Sequence, residues 1–592
     1  MGDIFFVRSA RVLRVLALAA LSALVAACAS TPLPPWNPAP TPVPAQPGSS
    51  PSKPTTSSAT PSAAPNTAPT ATPTDPSAPY SAAVAARFPA PVVVYSTPGL
   101  QVGRNTFTSQ AEIAGWLRAQ SAAAARVPGV KANILQIGQS QKGTPLEALI
   151  LTHAASTDAA TVLAHGKPTV LLVGQQHGNE PAGSEALMVI ASELAQGLLQ
   201  PALDRINVII VPRANPDGSA TDQRATPNGL DMNRDHLLLY TPEAQALAKL
   251  MREYQPAVVV DAHEYTVVGR YLQKFGAVQK YDALLQYATT ANVNEFVTKA
   301  AEEWYRRPLM AALKEQNLSA EWYHTTTNDL ADKKMSMGGT QPDTGRNVNS
   351  LKNAVSLLIE TRGVGIDRLH IQRRVHTQVT AITSVLASTA QKSTELMQLR
   401  PYVDKTIAGL ACKDEAIVEA APTTAQVDLV MLDPVTGADK LVNVNWDSAL
   451  VLRALKSRSR PCGYWLSAAA STAVDRLRMH GVQIMRVSVN GSVLGDSYQE
   501  VSRTEGKRQD VLGTIESAAP IVLVQVSLTR ALVDAPKGSY YVPLNQPLAN
   551  LVIAALEPDT QSSFFANRLI PNVQSTVRVM AEPATLKLEK LP

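Results

Sequence analysis

Four short apolar runs constrain the fold more than any other feature of this chain. They are Pro168-Thr-Val-Leu-Leu-Val173, Arg205 to Val211, Ala257-Val-Val-Val-Asp261 and Val355-Ser-Leu-Leu-Ile359. Runs of this length and β-branched content read as strands buried on both faces. Helical spacing precedes them at Ser109 to Ala125 (Ile113, Trp116, Leu117) and separates them at Ser184 to Leu199 and Pro242 to Glu253. Ala132 to Gly138 and Pro145 to Thr152 read as a hairpin around Gln139-Ser-Gln-Lys-Gly143. The pattern predicts an α/β fold, a mixed β-sheet flanked by helices. Sites in such sheets form beyond strand ends, where this chain places its polar clusters.

The first cluster is Val-Gly-Gln-Gln-His-Gly-Asn-Glu-Pro-Ala-Gly, residues 173–183. An imidazole and a carboxylate three residues apart, His177 and Glu180, can converge on one cation. Ordinary loop hydrogen bonds would also satisfy them. His263 follows the third apolar run and could complete a three-ligand zinc site. Glu360 ends the fourth run and is the candidate general base; a salt bridge to Arg362 is the structural alternative. Between them, residues 212–233 form a polar loop with Asn215-Pro-Asp-Gly218, which reads as a turn, then Arg224 and Asp231-Met-Asn-Arg-Asp235. Two guanidinium groups there could bind a carboxylate and an oxyanion. With only Cys28, Cys412 and Cys462 present, a cysteine-rich zinc scaffold is excluded.

H-x-x-E, Asn-Pro-Asp-Gly, Arg-x-x-x-Asn-Gly-x-Asp-x-Asn-Arg, a strand-end His and a strand-end Glu, in that order, resemble the zinc carboxypeptidase family (carboxypeptidase A-like metallopeptidases) over residues 105 to 365. The resemblance implies one Zn2+ held by His177, Glu180 and His263, with Asp231 orienting a ligand histidine from behind. It implies Arg224 as oxyanion stabiliser, Asn233 and Arg234 as holders of the substrate's terminal carboxylate, and Glu360 as general base. The family's substrate-contacting tyrosine is missing, since no tyrosine lies between Tyr323 and Glu360. Tyr323 or Tyr265 could supply it. Arg346 falls near the family's specificity position, where it would favour an acidic residue at the cleaved end; a solvated loop arginine is the alternative.

The chain ends carry other signals. Residues 1–28 read as an export signal: Arg8, Arg11 and Arg14 precede an apolar segment of 13 residues, Val15 to Ala27, which is shorter than the ~20 a membrane span needs. Leu24-Val-Ala-Ala-Cys28 looks like a lipobox, which implies lipidation at Cys28 and an outer-membrane anchor on the periplasmic or surface side; simple cleavage at an Ala-x-Ala-like site, with Cys28 incidental, is the alternative. Residues 29–88 read as a disordered Pro/Ala/Ser/Thr linker, because seventeen of the 43 prolines fall between Thr31 and Ala90. The catalytic domain is placed at 89–400 and a smaller β-rich accessory domain at 401–592. Cys412 and Cys462 either pair in an oxidising compartment or stay as buried thiols. A net charge of +5 without basic runs does not indicate nucleic acid. The expected function is metallocarboxypeptidase action on peptides with a free carboxyl end. A zinc amidohydrolase or deacylase acting on peptidoglycan stem peptides or N-acyl amino acids, and a non-catalytic surface binding module, are the alternatives.

Overall fold

In the computed structural model, residues 79–515 and 518–591 are described. The expected signal segment and Cys28 lie outside them. The core is an eight-stranded mixed sheet. Its strands are β1 (Lys131–Gln139), β2 (Pro145–Thr152), β3 (Thr169–Gly174), β4 (Asn207–Val211), β5 (Val258–Thr266), β6 (Ala283–Tyr287), β7 (Ala320–Trp322) and β10 (Val355–Val364), in the order β1-β2-β4-β3-β5-β10-β6-β7. The four apolar runs are its centre. β4, β3, β5 and β10 run parallel, flanked by antiparallel β2 and β6. Central strands covered on both faces must be apolar throughout, and these are almost entirely buried.

Helices α1 (Gln110–Ala124), α2 (Pro181–Gln196), α3 (Pro242–Tyr254) and α4 (Ile371–Gln391) pack around the sheet. A capping box starts α1, with the Ser109 hydroxyl accepting from the Glu112 amide and Glu112 accepting from the Ser109 amide. Pro181 starts α2 at a position where its missing N–H costs nothing, so the helix begins directly after Glu180.

Two expected boundaries move. The folded part begins before residue 89, because Tyr80, Val84 and Phe88 are buried against Tyr265, Val267, Leu284 and Ile366. The Arg362 guanidinium sits 3.4 Å over the Phe88 ring, which explains how that strand arginine is buried without a carboxylate. The β-rich C-terminal region exists as expected, but residue 401 is no linker: it lies inside a helix, Ser393–Ala408. Beyond it, β11 (Glu415–Leu432) and β12 (Asp439–Ser459) form a long hairpin. β12 pairs with β9 (Lys334–Ser336), which pairs with β8 (Thr325–Thr326), so one sheet is shared across the expected boundary. A seven-stranded sheet follows, and Cys412 and Cys462 are joined by a disulfide. Among the described residues, no helix is long and apolar enough to cross a membrane.

Candidate metal and active site

Parallel pairing brings the distant motifs together. Val173 lies opposite Asp261 and Gly174 opposite Ala262, so the loop after β3 emerges beside the second half of β5. On the other side, Glu360 is the register partner of His263. Both strands run past the points where apolarity stops, so His263 and Glu360 sit within strands rather than after them. The 173–183 loop is held by the Asn215-Pro-Asp-Gly218 turn. Asn215 caps that turn by accepting from the Gly218 amide, and its Nδ2 donates to the Gln176 carbonyl. Gly178 rests on the turn so closely that an added Cβ would stand 2.0 Å from the Gly218 carbonyl carbon.

His177, Glu180 and His263 converge, each with a ligand atom within 4.8 Å of the others. The His177 Nδ1 is 2.7 Å from Glu180 Oε1, and the His263 Nδ1 is 2.8 Å from Oε2. Behind them, His177 Nε2 meets Asp231 Oδ1 at 3.0 Å, and His263 Nε2 meets Asp261 Oδ1 at 2.9 Å. Each outer carboxylate fixes its ring with the proton on Nε2, which leaves both Nδ1 lone pairs facing the same point, 3.1 Å apart. Two lone pairs and a carboxylate aimed at one another repel unless a cation lies among them. Two imidazoles and one carboxylate are a donor set that zinc accepts in catalytic sites. Burial alone would raise the Glu180 carboxyl, but the two histidines hold it below the usual range.

Glu360 lines the same cavity, about 230 Å³ in volume, with Arg224, Arg234, Arg346, Tyr323, Val511 and Leu512. Burial and the Glu180 carboxylate push its pKa up to about 7. Such a carboxylate can accept and return a proton near neutrality.

Residues 121–366 match the family model described as zinc carboxypeptidase. That stretch of the chain is similar to the zinc carboxypeptidase family. The class is zinc metallocarboxypeptidase, and its cofactor is one Zn2+, for which His177, Glu180 and His263 are the candidate ligands. Among similar proteins, "Carboxypeptidase 2" of Trichophyton equinum is 25% identical over 512 residues, covering 83% of this chain and 91% of the relative. "Carboxypeptidase D" of Mus musculus is 30% identical over 221 residues, 31% of this chain and 16% of the relative. Among solved structures, the carboxypeptidase A of Helicoverpa armigera aligns with a TM-score of 0.37 at 14% identity, covering 53% of this chain and 79% of that one.

The other expected residues of this carboxypeptidase domain divide. Arg224 lies beside the triad, with its Nη1 3.1 Å from His177 Nδ1 and 3.3 Å from Glu180 Oε1 and its Nε donating to Asp231 at 3.0 Å. Asn233 and Arg234 already hold partners on the cavity wall. The Asn233 Oδ1 accepts from the Gly345 amide, and its Nδ2 donates to Asp261 Oδ2 at 3.4 Å. Arg234 is paired with Asp510, its Nε at 3.0 Å and Nη2 at 2.9 Å from Oδ2, while its Nη1 donates to the Asn233 carbonyl. Arg346 is not a solvated loop residue: it is buried in the helix Gly345–Leu351 on the cavity wall. Glu360 does not pair with Arg362, whose guanidinium faces Phe88 and the carbonyls of Gln279 and Tyr281.

Of the two candidate tyrosines, Tyr265 donates its hydroxyl to the Tyr281 carbonyl and packs into the core, while Tyr323 is the one whose ring stands beside Gly338 and Arg346. Asp261 and Asp510 were missed. Asp261 precedes His263 by two residues in a strand, a spacing that puts both side chains on one face, and that signal was readable. Asp510 comes from the C-terminal region and no local pattern announces it.

Proposed function

We propose that the protein removes the C-terminal residue of peptides by hydrolysis. The observation that carries this reading is Glu360 in register with His263 and lining one cavity with His177, Glu180 and Arg224. When bound, zinc supplies Lewis acidity toward the scissile carbonyl and toward water. Glu360 removes the proton from the attacking water and returns it to the leaving amine, a task suited to a carboxylate held near neutrality. Arg224, half-exposed at the triad, donates to the oxygen on which negative charge develops. Asp231 and Asp261 hold the imidazoles in one tautomer so that neither ring rotates out of place. We also propose that Cys28 is lipidated and anchors the chain to the outer membrane. Loss of detergent-phase partitioning in Cys28→Ser supports the anchor, and unchanged partitioning removes it.

Metal analysis and peptide hydrolysis test the catalytic reading together. One zinc per chain and turnover of free-acid peptides are expected, with Glu360→Gln keeping the zinc while losing about 10²- to 10⁴-fold in rate. A variant as active as the wild type would sink the assigned mechanism, whereas zinc binding without turnover in either protein would leave the binding-module reading. A zinc amidohydrolase acting on N-acyl amino acids or stem peptides uses the same groups, and the pairing of Arg234 with Asp510 keeps that reading in view. Preferential turnover of acyl amino acids would select it.

A further inference from the structure

A peptide ending in a free carboxylate needs a cation in the cavity to receive it, and the described cations there differ in what they already hold. Arg224 faces Asp231 and Glu180. Arg234 is bound by Asp510, and that contact is built rather than incidental. The Asp510 Oδ2 takes both Arg234 nitrogens while its Oδ1 accepts from the Leu512 amide at 2.7 Å. The loop carrying it is pinned on several sides. Arg508 Nη2 donates to Asp343 Oδ2 and to the Arg234 carbonyl, each at 2.8 Å, and both side chains of the Arg508–Asp343 pair are buried. The Asn328 amide donates to the Leu512 carbonyl at 2.9 Å, and the Gln509 amide donates to Gln561 Oε1 at 2.7 Å. Pulling Asp510 away would strand a carboxylate with two lost sets of partners and break a buried ion pair beside it.

Arg346 is in the opposite condition. It is 4% exposed, and it makes no ion pair among the described residues. Its Nη2 donates to the Gly339 carbonyl at 3.0 Å, and its Nε is buried with no hydrogen-bond partner. A guanidinium cannot shed its proton to escape that situation. Gly338, at φ +86°, makes the space: a Cβ there would come within 2.7 Å of Arg346 Nη2 and 3.0 Å of the Tyr323 ring. The remaining wall arginine, Arg270, also has a buried Nε without a hydrogen-bond partner among the described residues, but it is less buried as a whole and its two terminal nitrogens already donate to Asn328 Oδ1 and Thr325 Oγ1.

We propose that Arg346, not Arg234, receives the terminal carboxylate of the substrate, and that Asp510 is the fixed counter-ion that takes Arg234 out of that role. The proposal rests on the peptidase reading for the identity of the ligand, but it is tested without turnover. In the zinc-loaded Glu360→Gln protein, calorimetry compares one peptide with a free-acid end and the same peptide amidated. The free acid is expected to bind at least about tenfold tighter, the scale of one good charge-assisted contact. Adding Arg346→Gln should erase the difference, Arg346→Lys should retain part of it, and Arg270→Gln should leave it whole. Adding Asp510→Asn to the Arg346→Gln protein should restore a preference, because Arg234 is released. An undiminished free-acid preference in Arg346→Gln overturns the proposal, since the substrate then displaces Asp510 from Arg234. Failure of Asp510→Asn to restore any preference overturns the masking role. In the active enzyme, Arg346→Gln should raise KM for free-acid peptides and leave the amide unaffected, a split that a misfolded cavity would not give. Absence of peptide hydrolysis in the wild type counts against the peptidase reading alone, because the binding difference judges Arg346 separately.

Discussion

Each ligand histidine is held from behind by a carboxylate, and the two carboxylates differ in accessibility. Asp261 is buried between His263, Gln176 and Asn233, with Gln176 Nε2 donating to its Oδ1 at 2.6 Å. Asp231 is shared with Arg224 and is less enclosed. Replacing Asp261 by Ala frees the His263 ring to rotate and removes the acceptor that fixes its tautomer. The expected result is a loss of about 10- to 100-fold in zinc affinity, read by competition with a chromogenic chelator. The residues that could be read in advance are those whose chemistry is written locally: His177 and Glu180 by their spacing, and His263 and Glu360 by sitting where an apolar run ends. Asn233 and Arg234 were readable from their motif, but the partners they hold were not. Their partners, the Gly345 amide and Asp510, come from parts of the chain with no sequence link to them.

At the scale of elements, one strand serves two faces. His263 of β5 turns to Glu180 and Asp261, and the next residue, Glu264, is held by Arg374 of α4 at 2.8 and 3.0 Å and by the Ala182 amide of α2 at 2.9 Å. That buried pair ties β5 to the two helices that back the site, and both side chains are almost fully enclosed. Arg374→Met would leave the buried Glu264 without its counter-ion near Glu180. Stability should fall by about 3–5 kcal/mol, measured from the midpoint of denaturant unfolding, and zinc affinity should fall with it as β5 loosens. Gly178→Ala tests the loop on the opposite side of the triad. The added methyl must push the 173–183 loop off the Gly218 turn, so metal binding should weaken while the midpoint of unfolding of the zinc-free protein changes less. The strands were legible because periodicity and length specify them. Their true ends were not, because β5 and β10 continue through polar residues that a sheet accepts once neighbours satisfy them.

Across the whole molecule, the C-terminal region is part of the enzyme's body. Tyr271, Phe275, Met335 and Met337 form one cluster with Leu429, Met431, Val444 and Trp446 of the β11–β12 hairpin. A chain cut after residue 408 would expose that cluster and leave β9 paired with β8 alone. It is expected to aggregate or melt without a cooperative transition in calorimetry, whereas an intact 79–592 chain melts cooperatively. Zinc binds the folded form, so chelation should lower the melting temperature of the full chain, with recovery set by added zinc at about 2.7 kcal/mol per hundredfold excess over Kd. The second domain was visible as a run of strand-like segments, but its packing was not, since long-range pairing leaves no mark in local composition. The contact between Arg234 and Asp510 spans 276 residues of chain. At a synthesis rate of about 5–20 residues per second, the wall of the cavity reaches the ribosome's exit tens of seconds after the metal-binding strands have emerged. A nascent chain therefore holds its metal ligands for a period before it has a finished substrate cavity. The order of the sequence delays the completed site until the last third of the protein has been made.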